Sequence, residues 1–375
     1  MPPTTVPTTA GRRSRTDALE EAADLARLAP SVHNTQPGRL ALRDDRLELH
    51  ADRTRQLVTL DPAGRALAQS VGAALFNARV ALAAAGWAAA VVRLPDPADP
   101  DLLAVVRPVE GAPDPALAAL AGAVRERHTN RRAFSGEEVP DELVRVLSRA
   151  VAAEGAELVP VRSEPHRQLV ARLTQQADAV QNADPAYRAE LRRWTTRTPG
   201  EGDGVPAAVV PHVDGRQHDD LPLRDFDSAG SGALPAETRS TGRQTIVLLA
   251  SHRDDQHAWV RAGEALERLL LELTRAGWVA GPLTQAVEVP LTRTQLRLAL
   301  TWDAHPQNLL RIGRAAPTAA TPRRPRGNVV EGSTRPPEPA EPARPGPVGW
   351  PPPREHRQRT GRRPVPDGRG GTTWV

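Results

Sequence analysis

The sequence contains no lysine and no cysteine. Its 375 residues include 49 basic ones, and every one of these is an arginine. Without lysine the chain cannot form a Schiff base or build a lysine-bearing phosphate loop. Without cysteine it cannot form disulfides, thiolate metal sites or a sulfur nucleophile. Any redox chemistry must therefore come from a bound cofactor.

Long apolar runs are also missing, although 39% hydrophobic residues are enough to build a core. Charge-free apolar stretches reach only thirteen residues, as from Val80 to Val92, which is too short to cross a bilayer. The N-terminal stretch MPPTTVPTTAGRRSR lacks the apolar block that a secretory signal needs. We therefore predict no membrane span and a cytoplasmic location.

Basic charge is concentrated towards the C-terminus. Residues 315–375 hold eleven arginines against five acidic side chains, an excess larger than the net charge of +4 for the whole chain. The same region holds fourteen of the 38 prolines and little aliphatic periodicity, a composition that cannot offset chain entropy. We predict a disordered tail over 327–375 and a flexible N-terminus over 1–15. A second stretch rich in Pro, Gly and Asp, 196–240, is a candidate lid or linker.

The periodicities between these regions indicate mixed α and β structure. Apolar residues recur at helical spacing over 17–29, and Pro30 should end that helix. Alternating leucines on both sides of Asp44-Asp45 predict a β-hairpin over 40–49. Further strands are predicted at the following four places: 102–107, 156–161, 244–250 and 308–313.

Two helices repeat each other when the chain is shifted against itself by 191 residues. The matching residues are identical in the two copies: Gly72, Ala74, Leu75, Leu82, Ala85, Gly86 and Trp87 fall on Gly263, Ala265, Leu266, Leu273, Ala276, Gly277 and Trp278. Two unrelated buried helices rich in Ala and Leu would share some of these. The Gly-Trp pair after both helices favours duplication, because tryptophan occurs only seven times.

The segment Ala29-Pro30-Ser31-Val32-His33-Asn34-Thr35-Gln36-Pro37 presents small polar side chains between two prolines. We predict an extended conformation, because proline fixes its own φ and disfavours helix at the preceding residue. Amide side chains offer a donor and an acceptor together, which suits the alternating C=O and N–H groups on a flavin pyrimidine edge. The alternative is an ordinary loop that ends a helix, with Ser and Asn as turn residues.

A second cluster, Arg127-His128-Thr129-Asn130-Arg131-Arg132-Ala133-Phe134, precedes a helix start marked by Pro140-Asp141-Glu142. Guanidinium groups bind phosphate oxygens bidentately, so the cluster is a candidate clamp for a phosphate and a planar ring. The alternative is a solvated basic turn.

The third candidate segment follows the second repeat helix and runs from Gly281 through Pro282, Leu283, Thr284 and Gln285 to Pro290. We predict a rigid, non-helical stretch whose backbone N–H groups could face the hydride-accepting N5 of a flavin. The sequence Asn308-Leu309-Leu310-Arg311-Ile312-Gly313-Arg314 predicts a last strand that ends in basic residues, or a plain edge strand.

Other polar clusters indicate no further chemistry. His252 and His257 are five residues apart, which does not place both on one helical face, so we predict a solvated loop there and no metal site. The arginine-rich tail could bind nucleic acid or an acidic partner through counterion release. We favour neither, because the tail has only Trp350 and Trp374 as stacking aromatics and no recognisable RNA-binding module.

The motifs together carry a resemblance to a known family. The segments PSVHNTQP, LDPAGRALAQSVGAAL, RHTNRRAF, PLTQAVEVP and LLRIG, in this order, resemble the Acg-type FMN-binding branch of the nitroreductase superfamily. The resemblance runs from about residue 16 to 326 and includes 187–194 and 222–226. It implies an α+β fold in which two nitroreductase-like halves, 16–124 and 125–326, imitate the homodimer of the superfamily, with central antiparallel sheets flanked by helices.

The resemblance also implies where FMN binds. Arg127, Thr129 and Arg131 would face the phosphate and ring, with His128 and Asn130 beside them. The first half would contribute Ser31, Asn34 and Gln36 to the same site. The flavin N5 would lie beside Pro282, Leu283, Thr284 and Gln285, and Arg311 would complete the phosphate site. Only one of the two pseudo-equivalent sites is expected to be complete.

The implied function is an FMN-dependent oxidoreductase. NAD(P)H would deliver hydride to the flavin, which would reduce a small-molecule acceptor such as a nitroaromatic or a quinone, and no side-chain acid or base is required. The alternative is a protein that sequesters FMN, with the stretch 196–240 as a lid that blocks the nicotinamide. We expect a monomer or a weak homodimer.

Overall fold

The computed structural model describes residues 11–131, 134–135, 137–206, 209, 224, 226, 244–315, 320–335, 364–366 and 372–374. The chain divides into two units, Met1–Ala343 and Arg344–Val375. The described part of the second unit consists of two short strands that pair antiparallel with each other. All the remaining structure described below belongs to the first unit.

The described helices are α1 (Arg15–Ala26), α2 (Arg65–Ala84), α3 (Pro115–Ala118), α4 (Ala121–Glu126), α5 (Asp141–Ala153), α6 (Glu164–Ala183), α7 (Pro185–Thr195), α8 (Gln256–Arg275), α9 (Gln285–Glu288) and α10 (Pro290–Leu296). The described strands are β1 (Gly38–Leu42), β2 (Leu47–Ala51), β3 (Ala88–Arg93), β4 (Leu102–Val109), β5 (Glu157–Val161), β6 (Thr245–Ser251), β7 (Val279–Pro282), β8 (His305–Gly313), β9 (Val330–Glu331), β10 (Pro364–Pro366) and β11 (Thr372–Trp374).

Local sequence signals explain several of these boundaries. The side chain of Ser14 accepts the backbone N–H of Asp17 and so caps α1. Pro140 precedes the first turn of α5, as the sequence predicts. The predicted hairpin and the four further strands are confirmed as β1, β2, β4, β5, β6 and β8.

Three local predictions are wrong. The segment 30–37 is not extended, because Val32–Asn34 form a 3₁₀ turn in which the N–H groups of Asn34 and Thr35 bond the carbonyls of Ser31 and Val32. The segment 281–290 is not free of helix, because Gln285–Glu288 form α9 and α10 begins at Pro290. His257 lies within α8 rather than in a loop, because the Asp255 side chain caps that helix on Ala258 N–H.

The two four-stranded cores have the same topology. The first sheet has the order β3-β4-β2-β1, with β9 added at its edge, and the second has the order β7-β8-β6-β5. Every pairing within the two four-stranded sets is antiparallel. Helix α2 and helix α8 start and end 191 residues apart, which is the shift found in the sequence. The predicted duplication and the α+β fold class are therefore confirmed.

Helices α2 and α8 pack against each other at the centre of the molecule. Helix α2 is long and apolar enough to cross a membrane by composition, but 83% of its most apolar window is buried inside the protein. Its apolar residues belong to the core of the first half, which also contains the inner faces of α1, β2 and β4. The second sheet has a core on each face, one against α5 and α8 and one against α6 and α9.

A strap formed by residues 320–335 crosses back from the second half to the first. Its strand β9 pairs parallel with β1, and the buried Arg326 binds Glu20 and Asp24 of α1. Thr334 donates to Glu20 through both its backbone N–H and its hydroxyl. The predicted start of a disordered tail at residue 327 is therefore wrong. Residues 327–335 lack aliphatic periodicity, but charged and hydroxyl side chains bind this segment to α1.

Candidate functional site

A cavity lies where α2, α8 and β8 meet the turn after α1. The space inside it, together with the open solvent at its mouth, is about 1180 Å³. Its apolar wall includes Leu266 and Leu270 of α8 and Leu310 of β8. Further apolar residues and a set of polar side chains line the rest, so a bound molecule would meet both an apolar surface and directed hydrogen-bonding groups.

Three amide side chains form one wall of the cavity. Gln69 of α2 donates to Gln307 Oε1 and accepts from Asn308 Nδ2, each at 2.9 Å. Gln307 in turn donates to Ser251 Oγ at 2.8 Å. These bonds fix the rotamers of the amides, so their orientation is set before any ligand arrives.

Positive charge surrounds the cavity. Arg65, Arg131, Arg224 and Arg311 all contribute to its lining. Burial, together with the nearby charges of Arg127 and Arg224, lowers the pKa of Arg131 to about 10. Arg131 Nε and Nη1 are buried and have no hydrogen-bond partner among the described residues. Such a guanidinium is poised to bind an anion.

A second layer of charge lies behind Arg131. Arg127 ends α4 and is almost fully buried, with its Nε 3.6 Å from Glu267 Oε1 of α8. Burial and the charge of Arg127 lower the pKa of Arg323, on the strap, to about 9. Burial also raises the pKa of Glu267 to about 7. The arrangement therefore sets several buried guanidinium groups against a single partly protonated carboxyl.

Arg224, another lining residue, is the centre of a buried hydrogen-bond network. It donates to Glu288 Oε2 at 2.5 Å and to the Tyr187 hydroxyl at 3.0 Å. Its Nη1 lies 3.2 Å from Nε2 of His33. Because a guanidinium only donates, Nε2 must accept and the imidazole is neutral. Burial and the Arg224 charge lower the pKa of His33 to about 3, which agrees with that assignment.

Phe226 enters the cavity beside Arg224. Its ring meets His33 edge to face, with the centroids 5.6 Å apart, and the Arg131 guanidinium lies 5.5 Å from its centre. Arg224 and Phe226 belong to the predicted lid or linker 196–240. Most of that stretch, including 210–223 and 227–240, lies outside the described residues. The described part nevertheless brings two side chains into the cavity.

The structure places six of the predicted site residues on the cavity wall. They come from all four candidate segments: Ser31, Thr129, Arg131, Pro282, Thr284 and Arg311. Arg311 extends from β8 with its guanidinium 4.3 Å from the centre of the Phe134 ring. Gly281 makes room for it, because a Cβ there would lie 2.8 Å from Arg311 Nε.

The predicted roles of Asn34 and Gln36 are not what the structure shows. Asn34 Nδ2 donates to the carbonyls of Gly204 and Pro322, and Gln36 Nε2 donates to the Gly202 carbonyl. Both amides are thereby used up in holding neighbouring segments behind the cavity. His33, Asn34 and Gln36 have φ values of 45°, 55° and 49°, and this left-handed backbone turns His33 to the cavity in their place.

The remaining predicted residues also lie outside the lining. His128 Nδ1 contacts the Glu126 carbonyl, and Asn130 N–H bonds the Ala280 carbonyl of β7. Leu283 packs in the core and gives its N–H to the Leu309 carbonyl, so that amide cannot face a ligand. Gln285 is buried behind the wall, and Arg127 acts from the second layer.

Several lining residues were missed by the sequence analysis. Arg65 and Gln69 lie in the segment LDPAGRALAQSVGAAL, where Gln69 and Ser70 interrupt an otherwise apolar helix face. That interruption is a usable signal of a polar site. Arg224 and Glu288 lie in the segments 222–226 and PLTQAVEVP, which carry the resemblance, but their ion pair is a long-range contact that neither segment predicts. Arg323, in the second layer, carries no local signal.

The pseudo-equivalent position in the other half is filled by ion pairs. A shift of 191 residues places Glu264 on the lining residue Ala73, Arg79 on Leu270, and Arg93 on Thr284. Glu264 is fully buried, 2.6 Å from Arg79 and 2.5 Å from Arg93. Arg79 also pairs with Glu154 at 2.6 Å. Charged side chains therefore stand where the first site has the uncharged residues Ala73, Leu270 and Thr284.

Comparison with curated proteins found relatives over most of the chain, whereas no family model matches it. A Mycobacterium tuberculosis protein provisionally named NAD(P)H nitroreductase Rv3131 is 37% identical over 316 residues, covering 82% of this chain and 89% of its own. A second protein from that organism, provisionally named NAD(P)H nitroreductase acg, is 31% identical over 318 residues, covering 83% and 94%. A third, the uncharacterised Rv3127, is 33% identical over 325 residues, covering 84% and 92%.

Solved structures with some similarity include a nitroreductase with bound FMN from Desulfitobacterium hafniense, at 12% identity and a TM-score of 0.34, covering 54% of this chain and 91% of that one. Another is a nitroreductase with bound FMN from Bacteroides fragilis, at 12% identity and a TM-score of 0.33, covering 52% and 88%.

Proposed function

Because the chain belongs to the nitroreductase superfamily and is of the Acg type, we propose that it binds one FMN in the cavity between its halves and acts as an NAD(P)H-dependent oxidoreductase. The proposed acceptors are nitroaromatic or quinone-like small molecules. The observation that carries the proposal is the buried, incompletely bonded arginine cluster beside a large, partly apolar cavity.

The arginine cluster fits the phosphate of FMN. Arg127 and Arg131 each have buried Nε and Nη1 atoms without a hydrogen-bond partner among the described residues. A phosphate dianion would supply acceptors for these donors and compensate charges that burial makes costly. Arg131 is therefore proposed to bind it at the cavity wall together with Arg311, and Arg127 and Arg323 are proposed to support it with positive charge from the second layer.

The rest of the cavity fits a flat heterocycle with a polar edge. Leu266, Leu270 and Leu310 offer an apolar surface, while the fixed amides of Gln69 and Asn308 offer donors and acceptors together. Thr284 remains the proposed neighbour of the hydride-accepting position. Leu283 is no longer a candidate, since its amide is committed to β8.

When bound, FMN supplies the hydride chemistry. The side chains around it have three tasks. Arg65 and Arg131 provide positive charge that favours electron-rich ligands, the leucines exclude water, and the neutral His33 can accept or donate a hydrogen bond without changing its charge between pH 5 and 9.

The proposal is tested with the purified full-length protein. We expect a flavin absorbance spectrum, either as isolated or after addition of FMN, and bleaching of that spectrum by NADPH or NADH without oxygen. Failure to retain FMN after reconstitution at neutral pH would overturn the binding proposal. FMN binding without bleaching by either nicotinamide would overturn the enzymatic one.

A second candidate function is storage of FMN without turnover, and the placement of Arg224 and Phe226 favours it. Both side chains enter the cavity, and Arg224 is tied down by Glu288, Tyr187 and His33. Two side chains that occupy the cavity in this way would keep a nicotinamide from stacking on the flavin.

The variants Arg224→Ala and Phe226→Ala separate the two candidates, with the exposed Arg145→Ala as a control. If the segment blocks access, the rate of flavin reduction by NADPH should rise about tenfold or more in the cavity variants, corresponding to about 1.4 kcal/mol. Fast reduction of the unmodified protein, unchanged by either variant, would exclude storage.

A further inference from the structure

Glu267 is a fully buried carboxyl that the proposed chemistry does not use. It lies on α8, one residue after the lining residue Leu266, and its side chain points away from the cavity into the second layer of charge. Three groups face it from the elements around it: Arg127 at the end of α4, Arg323 on the strap, and Asn77 on α2. It is thus placed among the arginines proposed to hold a phosphate.

The contact between Glu267 and Arg127 is loose. Their closest atoms are 3.6 Å apart, beyond a normal hydrogen bond, and Arg127 Nε and Nη1 have no hydrogen-bond partner among the described residues. A buried pair designed for stability would close this gap, because burial of an imperfectly paired charge is costly. The geometry instead matches an arginine that keeps bonding capacity for another anion.

A phosphate monoester would bring close to two negative charges to the same arginines. Arg131 lies on the cavity wall, and its pKa responds to Arg127. The ligand charge would therefore act on Glu267 through the buried guanidinium groups of Arg131 and Arg127, where Coulomb interactions are weakly screened. Repulsion between like charges favours the neutral carboxyl.

We propose that Glu267 is a proton-linked counterion, an inference that rests on the proposed function. Glu267 takes up one proton from solvent when the phosphate of FMN binds, and releases it when FMN leaves. The carboxylate compensates the arginines in the free protein, and the phosphate replaces it. Because burial already raises the pKa of Glu267 to about 7 in the free protein, a further increase on binding falls in an accessible pH range.

The sign of the effect follows from linkage. If the pKa of Glu267 is higher with FMN than without it, binding is strongest below pH 7 and weakens as pH rises above it. The association constant should fall by up to about tenfold between pH 7 and 8, the limit for one proton. Above pH 8 the lowered pKa of Arg323 adds to the decline, so the range from pH 7 to 8 isolates Glu267. The phosphate of FMN is a dianion over that range, since its second pKa is about 6, and does not contribute.

The experiment measures FMN binding to the full-length apoprotein from pH 7 to 8 by fluorescence quenching. It also measures proton uptake at pH 8 by calorimetry in two buffers of different ionisation enthalpy. Over this range Glu267→Gln should bind FMN with a pH-independent constant, and at pH 8 it should bind FMN more tightly than the unmodified protein. Glu272→Gln, on the same helix but paired with Arg275, is the matched control and should keep the slope. Riboflavin, which lacks the phosphate, should bind without proton uptake.

The outcomes separate the two proposals. Tight FMN binding by the unmodified protein without proton uptake, or with a slope that survives in Glu267→Gln, would overturn the role of Glu267 alone. Because the calorimetry uses the unmodified protein, misfolding of the variant does not remove the test. Absence of FMN binding at every pH would overturn the proposed function and this inference with it.

Discussion

Gly263 of α8 lies directly against the backbone of Gln69 of α2. A Cβ at Gly263 would be 2.0 Å from the Gln69 carbonyl oxygen, and a Cβ at Gly72 would be 2.0 Å from the Val260 carbonyl oxygen. These two contacts are equivalent under the shift of 191 residues. The crossing of the two helices therefore lies on the pseudo-twofold axis, and it also fixes the position of Gln69 in the cavity wall.

Gly263→Ala should destabilise the protein by about 3 kcal/mol or more, because the two helix backbones must separate to admit the methyl group. Urea unfolding measures the loss. Gly122→Ala, in helix α4 with open space around it, is the control and should be neutral or stabilising by about 0.5 kcal/mol. Equal effects of the two substitutions would contradict the close crossing.

Arg131→Gln should weaken FMN binding by about tenfold to a hundredfold, as expected for loss of a charge-assisted hydrogen bond. Riboflavin binding should change much less, because riboflavin has no phosphate. Arg145→Gln, on the exposed side of α5, should leave both affinities unchanged. A parallel loss of riboflavin and FMN binding in Arg131→Gln would move the phosphate site elsewhere.

His33 should make the protein sensitive to acid. Its pKa is about 3 in the folded protein and near 6.5 when unfolded, so the unfolded chain binds the additional proton between those values. Stability should therefore be fully present above pH 6.5 and fall by up to about 1.4 kcal/mol per pH unit below it. Comparing urea midpoints of the unmodified protein and His33→Gln from pH 7 to 4 isolates this contribution, and identical slopes would count against it.

We expect the ion-pair network around Glu264 to stabilise the folded protein and to take no part in ligand binding. Glu264→Gln leaves Arg79 and Arg93 buried with less compensation, and we expect a loss of about 3 kcal/mol. Glu142→Gln breaks an exposed pair with Arg145 and should cost less than about 1 kcal/mol. FMN stoichiometry should stay at one per chain in both. A second bound FMN in Glu264→Gln would show that the pseudo-equivalent site is still able to bind it.

The fold was largely predictable because periodic patterns determine it. The leucine alternation around Asp44-Asp45 became a hairpin, and the repeated Gly-Trp pair marked two equivalent helix ends at Gly86 and Gly277, both with positive φ. Long-range contacts explain an error in the segment before β1. Pro30 and Pro37 bracket a segment whose backbone nevertheless turns, because Asn34 gains bonds to the distant Gly204 and Pro322.

The site was predictable only in part. The motifs identify the segments that contribute to the site, and Arg131 and Thr284 of these segments do line the cavity. Which side chain of a segment faces the cavity depends on a backbone turn that residue spacing does not predict. That is why His33 lines the cavity and Asn34 does not. Arg224 and Arg323 lie in regions rich in proline and glycine. The composition of these regions does not indicate that Arg224 interacts with the distant Glu288, or Arg323 with Glu267.

The strap places the final part of the fold at the edge of its first sheet. Leu40 of β1 pairs with Val330, about 290 residues later in the chain. On a ribosome that adds about 5 to 20 residues per second, β1 is synthesised roughly 15 to 60 s before β9, the strand that pairs with its edge. Arg323 is synthesised at the same late stage, so the nascent chain cannot complete its buried arginine cluster until almost the whole body has been synthesised.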